Sequence, residues 1–323
     1  MRVLVTNHVP PEAIEPLAGL AEVTLGPSGG DLMPREEVLA LAPTLDAIIN
    51  QAELRVDAEL LDRAPRLRIV ANVARGHDNL DLDLMVRRGV WATNAGDAFV
   101  ESTADATLAL ILAVTRRIAE ADRYVRRGLW KGFQPGAWDG MLLSGKTLGI
   151  VGYGSIGRAV RRRAEVFGMR VIYHRRKATS DPAQKSLDEV IAQADILSLH
   201  CSLTSHTHGL LNAERLRQMK RGAIVINMAR GAVLQEEALV AELQTGRLAG
   251  AGLDVFEQEP AIHPQLLQME QVVLTPHLGG GTRESRAAAR HACAEDVAAV
   301  LRGQEPLRAL NLPELTNHTL ARP

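Results

Sequence analysis

A strand-like apolar run followed at once by three spaced glycines constrains this chain more than any other feature. Residues 148–151 read Leu-Gly-Ile-Val, and Gly152, Gly154 and Gly157 follow in the spacing G-x-G-x-x-G before a helical segment. The first glycine permits a tight turn, the second a close approach by a ligand, and the third close packing of helix on strand. The helix N-terminus offers unpaired N–H groups and the positive end of its dipole to an anion. The pattern therefore predicts a dinucleotide pyrophosphate site, whose contacts are Gly152, Gly154, Ser155, Ile156 and Gly157.

Strand–helix alternation of the same kind runs through most of the 323 residues. Short apolar runs between helix-compatible segments predict parallel sheets covered on both faces. In the first hundred residues the predicted strands are Val3–Thr6, Ala47–Asn50, Leu67–Val73 and Val90–Thr93. In the second series they are Thr147–Val151, Met169–Tyr173, Ile196–His200, Ala223–Asn227, Ala249–Asp254 and Val272–Thr275. Two such series predict an α/β protein with two doubly wound domains.

Two longer segments have helical spacing of their apolar residues. Glu101–Arg127 is predicted as one helix of about seven turns, ended by Gly128. Arg283–Leu301 is predicted as the closing helix, and Arg302–Pro323 as an irregular tail.

Charge and composition narrow the classes of function. The 37 basic and 38 acidic residues leave a net charge of −1, which offers no global attraction to nucleic acid or to an anionic membrane. The longest apolar stretch, Ala104 to Val114, is too short to span a bilayer. Two cysteines form no disulfide framework and no signal-peptide pattern opens the chain, so we expect a cytoplasmic protein. No metal site is predicted.

The end of the strand that follows the glycine loop bears on the choice of dinucleotide. An NAD site usually places Asp or Glu roughly 20 residues past the loop to bind the ribose 2′-OH. Residues 171–177 instead read Val-Ile-Tyr-His-Arg-Arg-Lys, with cations at Arg175, Arg176 and Lys177 and no carboxylate. Guanidinium groups form charge-assisted, bidentate bonds with phosphate. We therefore predict NADP as the preferred cofactor and NAD as the second choice; the alternative is a solvated cluster on the surface.

Three later segments each join the end of a predicted strand to ionisable side chains. The residues concerned are Arg230, Asp254, Glu259 and His277. Ligands of open α/β sheets bind outside the carboxyl ends of the strands, where all of these would lie. Taken singly, each has a structural explanation: a surface ion pair, a capped turn or an ordinary loop histidine.

Together with the glycine loop and the run Leu199–Thr204, these segments resemble the D-isomer-specific 2-hydroxyacid dehydrogenases. The resemblance extends from about Met1 to Arg302 and departs from the family pattern at Ser202, where proline is usual. It implies NAD(P)-dependent reduction of a small 2-oxoacid of the glyoxylate or hydroxypyruvate type.

The resemblance also implies roles for individual residues. Arg230 would bind and polarise the substrate, and His277 would exchange a proton with the carbonyl oxygen. Glu259 would orient the imidazole and fix its tautomer. Further cofactor contacts are implied at Thr103, Cys201 and Asp254, the last with a structural role as an equal alternative.

Residues 72–81 resemble the carboxylate-binding loop of the same family, in which backbone N–H groups around a glycine form an anion nest. The implied substrate contacts are Ala74, Arg75 and Gly76. Arg75 is a departure, because the family usually has an uncharged residue there, whereas phosphite dehydrogenase, a relative, has a lysine. A phosphite dehydrogenase-like oxidoreductase acting on a dianionic substrate is therefore an alternative. Arg75 could instead fold back onto Asp78 or Asp81.

Finally, the resemblance implies an architecture. A Rossmann nucleotide-binding domain, residues 98–282, would be inserted in a flavodoxin-like substrate domain made of 1–97 and 283–323. The helix and arm after Glu101 form the dimer interface in relatives, so a homodimer is expected. Trp138 would either reach the partner's site or pack within the arm. A dinucleotide-sensing corepressor-like binding protein would share the fold, the glycine loop and the triad, and it is the non-enzymatic alternative.

Overall fold

The computed structural model describes residues 1–311, which fall into two compact units. Unit 1 contains Met1–Phe99 and the described residues from Thr282 to Asn311, and unit 2 is Val100–Gly281. Each unit is built on one sheet in which every strand pair is parallel.

Unit 1 has a five-stranded sheet in the order β2-β1-β3-β4-β5. The strands are β1 (Arg2–Val5), β2 (Glu22–Leu25), β3 (Ala47–Asn50), β4 (Ile69–Asn72) and β5 (Trp91–Asn94). Short helices connect them: α1 (Arg35–Leu41), α2 (Ala58–Arg63) and α3 (Leu82–Arg88). Strands β3, β4 and β5 are buried on both faces, which explains their continuous apolar runs. Strand β2 was not predicted, because as an edge strand it buries none of its residues fully.

Unit 2 has a six-stranded sheet in the order β11-β10-β9-β8-β6-β7. Its strands are β6 (Thr147–Val151), β7 (Arg170–His174), β8 (Ile196–Leu199), β9 (Ala223–Asn227), β10 (Leu248–Leu253) and β11 (Val272–Leu274). Its helices are α4 (Val100–Thr115), α5 (Ile118–Arg126), α6 (Ser155–Val166), α7 (Leu187–Gln193), α8 (Ala213–Gln218) and α9 (Glu236–Gln244). The strand order reverses between β6 and β8, and ligands of such sheets bind at this switch point.

The prediction of one helix over Glu101–Arg127 is wrong, because the chain breaks between α4 and α5. Arg117 adopts a left-handed backbone conformation with φ 53° and starts the second helix. The returning arm packs on this break: the Met141 N–H donates to the Thr115 carbonyl oxygen at 2.8 Å. The Arg117 guanidinium also donates to Glu120 and to the Ala137 carbonyl. Local spacing continues through the break, so only the long-range contacts reveal it.

The last helix, α10 (Arg283–Leu301), returns to unit 1 and buries Ala289, Cys293 and Val297 in the core on one face of that sheet. The segment predicted as an irregular tail after it contains no helix or strand as far as residue 311, but it is held against unit 1. Ala309 forms an antiparallel bridge with Thr93 at the edge of β5. Residues 312–323 of that predicted tail lie outside the described residues. Within the described chain, no helix is long and apolar enough to cross a membrane.

Asn311 fastens this returning segment and provides a test of it. Its side chain is buried, accepts from the Ala92 N–H at 3.2 Å and donates to the Val90 carbonyl at 3.1 Å. Asn311→Ala leaves both backbone groups unpaired, so we expect a loss of about 1–3 kcal/mol in the free energy of unfolding. Urea unfolding measures it, with the exposed Gln304→Ala as control. Equal stability of the two variants would contradict the assignment.

Candidate active site

The glycine loop connects β6 to α6. The surroundings of each glycine in it explain why a glycine is present there. Gly152 has φ +96°, and a Cβ there would lie 2.4 Å from the Cys201 backbone nitrogen. A Cβ on Gly157 would lie 2.5 Å from the Gly152 carbonyl oxygen. At Gly154, in contrast, no atom lies within 4 Å of a Cβ position, so the loop leaves open space in front of the helix. The cradle therefore fits a dinucleotide pyrophosphate, with the N–H groups of Ser155 and Ile156 at the start of α6.

An aromatic stack that was not predicted supports this loop. The Tyr153 ring lies on the buried Tyr173 ring of β7, with centroids 3.5 Å apart and planes inclined by 11°. Arg161 of α6 donates to the Tyr153 hydroxyl at 3.1 Å and pairs with Asp181 at 2.7 Å. The loop is thus held by side chains on three segments. Only the presence of one tyrosine in the loop and another on the next strand hinted at this in the sequence.

The cationic segment predicted to choose the cofactor lies directly after β7. The Gly152 N–H donates to the His174 carbonyl, so the segment begins beside the glycine loop. The Gln184 side chain holds its backbone by donating to the carbonyl oxygens of Arg175 and Lys177. Within residues 1–311, no carboxylate forms an ion pair with Arg175, Arg176 or Lys177. These charges are available to an anion.

The strand β8 ends on the other side of the switch point, at His200 and Cys201. Burial raises the pKa of the Cys201 thiol to about 11, so it is neutral and acts here through its backbone, which borders Gly152. Burial lowers the pKa of His200 to about 4, and the neutral ring bonds Ser198 Oγ at 2.8 Å. Neither side chain is an acid–base candidate near neutral pH.

Glu259 and His277 form a hydrogen-bonded pair at the carboxyl edge of the same sheet. His277 Nδ1 lies 2.8 Å from Glu259 Oε2, and Glu259 Oε1 accepts from the Phe256 N–H at 3.0 Å. Burial raises the pKa of Glu259, but these two hydrogen bonds and the positive charges of His277 and Arg230 outweigh it, so that pKa lies below its usual value. The carboxylate is therefore ionised at neutral pH, and the ring nitrogen left for a ligand is Nε2.

Asp254, at the end of β10, shapes the loop that carries His277. Its carboxylate is 2% exposed. Oδ1 accepts from Thr275 Oγ1 at 2.6 Å and from the Leu278 N–H at 2.8 Å, and Oδ2 accepts from the Gly279 N–H at 2.8 Å. These bonds accompany a left-handed backbone at His277, φ 50°. Thr103 of α4 lies close by, with Cγ2 3.6 Å from a Cβ position on Gly279.

Arg230 lies in the turn after β9. Asn227, fully buried at the strand end, donates from Nδ2 to the Arg230 carbonyl and accepts from the Ala229 N–H, which fixes the turn. The guanidinium is half-buried and donates to the Ala229 carbonyl at 2.9 Å. Its positive charge adds to the hydrogen bonds from His277 and Phe256 and to the charge of His277 in lowering the pKa of Glu259. The structure therefore brings Arg230, Glu259 and His277 together within unit 2.

The predicted carboxylate-binding loop in unit 1 is folded around Asn72. Its side chain donates to the Gly76 carbonyl and to Asn79 Oδ1. Among the described residues, no acceptor lies within hydrogen-bond reach of the consecutive N–H groups of Ala74, Arg75 and Gly76. Three unpaired, neighbouring N–H groups form the kind of concavity that binds anions.

The Arg75 side chain does not fold back onto Asp78 or Asp81, the alternative considered from the sequence. Its NH1 donates to Asp97 Oδ1 at 2.5 Å and to the Gly96 carbonyl at 2.7 Å. Asp97 lies after β5, and its closeness to Arg75 depends on strand pairing rather than on sequence distance. Trp138 packs within the arm, edge-on to Tyr124 and under the Arg117 guanidinium.

The donor set suits a dinucleotide and a small anion. In the part of the chain that the structure describes, no three His, Cys, Asp or Glu side chains are grouped as metal ligands. The groups that the site offers are a histidine–carboxylate pair, an arginine and a glycine cradle on one parallel sheet.

Known proteins are similar to this chain in sequence and in structure. Residues 108–279 match the family model described as D-isomer specific 2-hydroxyacid dehydrogenase, NAD binding domain. A glyoxylate reductase of Pyrococcus furiosus is 40% identical over 320 residues, which cover 96% of this chain and 95% of that protein. The crystal structure of the TT0316 protein from Thermus thermophilus is similar with a TM-score of 0.91 and 44% identity, covering 96% of this chain and 100% of that one.

A third relative was solved with ligands bound. The NADPH-dependent glyoxylate/hydroxypyruvate reductase of Sinorhizobium meliloti, solved in complex with NADP and malonate, is 30% identical with a TM-score of 0.86, covering 96% of each chain. The predicted family and fold class are thereby confirmed. The chain belongs to the D-isomer specific 2-hydroxyacid dehydrogenases and is an NAD(P)-dependent oxidoreductase of that family.

Proposed function

We propose that this chain reduces a small 2-oxoacid of the glyoxylate or hydroxypyruvate type, with Arg230, Glu259 and His277 as its catalytic residues. The observation that carries the proposal is the His277–Glu259 pair, 2.8 Å between Nδ1 and Oε2, beside Arg230 on the sheet edge that also carries the glycine loop. The naming of several relatives as glyoxylate reductases, at 38–41% identity over nearly the whole chain, supports the substrate class.

Reduction of a 2-oxoacid needs a hydride, a proton and a cation for the carboxylate. A bound reduced nicotinamide dinucleotide supplies the hydride. Protonated His277 donates from Nε2 to the carbonyl oxygen, and Glu259 stabilises the imidazolium through Nδ1–H. Arg230 binds the carboxylate and polarises the carbonyl. In the oxidative direction His277 takes the hydroxyl proton back, so the same residues serve both directions.

Within unit 1, the nest at Ala74, Arg75 and Gly76 is proposed as a carboxylate-binding site. The three unpaired N–H groups there bind one carboxylate without a counter-charge. The Arg75 guanidinium is compensated by Asp97, which favours a monoanionic substrate over a dianion such as phosphite.

For the cofactor, we propose NADP over NAD. Arg175 and Arg176 follow β7, where an acidic residue would bind the ribose 2′-OH in an NAD site, and no carboxylate of residues 1–311 neutralises them. Further contacts are proposed for Gly152, Gly154, Ser155, Ile156 and Gly157, and for Thr103, Cys201 and Asp254. Asp254 would then contact the cofactor and also hold the loop that carries His277.

The organisation of the protein in solution is also a proposal. Unit 2 would be the dinucleotide-binding domain and unit 1 the substrate domain. The arm after α5 exposes large apolar side chains, Trp130, Phe133 and Leu142 among them, which suits the expected homodimer. A cytoplasmic location remains an expectation.

Oxidation of NADPH with glyoxylate or hydroxypyruvate tests the proposed activity against its alternatives. Turnover with either oxoacid is expected. Turnover with phosphite and NADP alone would favour the phosphite dehydrogenase-like alternative. Tight binding of NADPH without turnover of any of these substrates would favour a corepressor-like binding protein.

Replacement of Glu259 by Gln tests the proton relay. Because the pKa of Glu259 lies below its usual value, its carboxylate stays ionised through the neutral range and faces His277 Nδ1 as an anion. Without that charge, reduction is expected to fall about 10²-fold, and its decline with rising pH is expected to begin at lower pH. The pH dependence of kcat/KM measures both. An unchanged profile would remove Glu259 from the relay.

Arg175→Ala with Arg176→Ala tests the choice of cofactor. Charge-assisted bonds to a 2′-phosphate contribute roughly 1.5–3 kcal/mol each, so we expect NADPH to bind at least tenfold more weakly and NADH to bind as before. Fluorescence titration measures both affinities. Arg170→Ala, at the opposite end of the same strand, is the control because its guanidinium bonds Thr147. A wild-type preference for NADH above tenfold would overturn the proposal.

Alanine at two glycines separates the cradle from its scaffold. Gly154→Ala meets no protein atom, so the apoprotein is expected to keep its Tm while NADPH affinity falls by about tenfold or more. Gly157→Ala forces a Cβ against the Gly152 carbonyl and is expected to lower both. Thermal unfolding and NADPH titration distinguish them. Unchanged affinity in Gly154→Ala would place the pyrophosphate elsewhere.

A further inference from the structure

Glu236, the first residue of α9, is a buried carboxylate outside the proposed catalytic set. Only 6% of the residue is exposed. Its Oε1 accepts from the Glu257 backbone N–H at 2.7 Å. Glu257 lies two residues before Glu259, so this bond fixes the chain that carries the proposed partner of His277.

The Glu257 side chain is exposed, whereas its backbone N–H is paired with the buried carboxylate of Glu236. A buried carboxylate oxygen needs such a partner, so the bond stabilises the start of α9 as well as the loop after β10. Partial burial and the nearby charge of Glu236 raise the pKa of the Glu257 carboxyl.

The peptide group between Phe256 and Glu257 is also in direct contact with the turn after β9, which contains Arg230. A Cβ on Gly231 would lie 1.8 Å from the Phe256 carbonyl carbon and oxygen and 2.4 Å from the Glu257 nitrogen. The two backbones therefore touch with no room for a side chain. One residue away from this contact lies Arg230, and two residues beyond it lies Glu259.

The same stretch of chain orients the Glu259 carboxylate itself. Its Oε1 accepts from the Phe256 N–H, and its Oε2 faces His277. The turn 256–259 is thus bonded to Glu236 and to His277, and its backbone touches Gly231. The bond from Glu236 connects it to α9.

We propose that Glu236 is a positioning residue of the active site: by holding the Glu257 N–H it keeps the turn 256–259 against Gly231 and so fixes Arg230 and Glu259 relative to each other. The catalytic consequence rests on the function proposed above, but the geometric statement does not. Displacement of a reacting group by about 1 Å can cost 10²-fold in rate. Loss of the anchor therefore lowers kcat with dinucleotide affinity unchanged, since the glycine loop lies on β6 and α6.

The chain provides a matched control on the same helix. Glu242 is also 6% exposed, and its carboxylate pairs with Arg217 and Arg247. Its removal destabilises α9 to a comparable degree without touching the turn 256–259. A purely structural role of Glu236 would make the two variants alike.

The experiment compares Glu236→Ala, Glu236→Asp, Glu236→Gln and Glu242→Ala in the full chain. Amide hydrogen exchange at Glu257 is measured first, then kcat with glyoxylate and NADPH, NADPH affinity and Tm. We expect Glu236→Ala to speed exchange at Glu257 and to lower kcat about 10–100-fold. Glu236→Asp, which retracts the carboxylate by one methylene, is expected to move both in the same direction. Glu236→Gln keeps an acceptor oxygen and is expected to stay within about threefold of wild type.

The outcomes separate this proposal from the one it rests on. If Glu236→Ala does not fold, Glu236→Asp decides. Unchanged exchange and kcat in the Glu236 variants, or equal effects in Glu242→Ala, would overturn the positioning role. If wild type reduces no oxoacid, the proposed function fails, while faster exchange at Glu257 in Glu236→Ala still supports the anchor and normal exchange refutes it.

Discussion

The geometry of the site depends on the hydrogen bonds that the Asp254 carboxylate accepts. This carboxylate is buried at the end of β10 and binds three groups of the neighbouring loop, two backbone N–H groups and a threonine hydroxyl. A buried carboxylate is stable only when its oxygens are paired, so the loop and the charge require each other. The loop in turn holds His277 in a left-handed conformation, which few residues other than glycine adopt readily. These bonds thus fix the backbone of the loop that carries His277, and the bond to Glu259 orients the imidazole.

Close approach between backbones determines the rest of the site. Gly231 touches the peptide after Phe256, Gly152 touches the Cys201 backbone, and Gly157 touches Gly152. In each case the glycine has no side chain, so the two backbones can touch. A residue proposed for the site lies within one or two positions of that contact along the chain. Burial raises the pKa of Glu259, but the hydrogen bonds from His277 and the Phe256 N–H, with the charges of His277 and Arg230, lower it overall. Packing determines where the charges lie, and the charges determine which protonation states the site holds.

The runs of apolar residues in the sequence predicted the buried strands, because the formation of such strands depends on local hydrophobic patterns. Buried strands such as β3, β6 and β9 have continuous apolar runs, and their predicted bounds agree with the structure. The edge strand β2 lacks that signal, and the break before α5 comes from an arm that packs on it from a distance. The residues of the proposed triad follow strand ends, but their roles came from the resemblance to the dehydrogenase family rather than from that position alone. Glu236 could not, because its role comes from a bond to a residue 21 positions away that no spacing rule connects.

Two cationic segments look equivalent in the sequence, but they differ in whether their cations are paired with a carboxylate. Arg75 and the Arg175–Lys177 segment both place cations at strand ends, yet only Arg75 has a carboxylate partner among the described residues. An exposed pair such as Arg75–Asp97 contributes about 0–1 kcal/mol to stability, so its main effect is on the local charge. With Asp97 beside it, the loop of Ala74–Gly76 presents N–H dipoles and almost no net charge, which suits a single carboxylate. The segment after β7 keeps its full positive charge, which suits the two negative charges of a phosphate monoester.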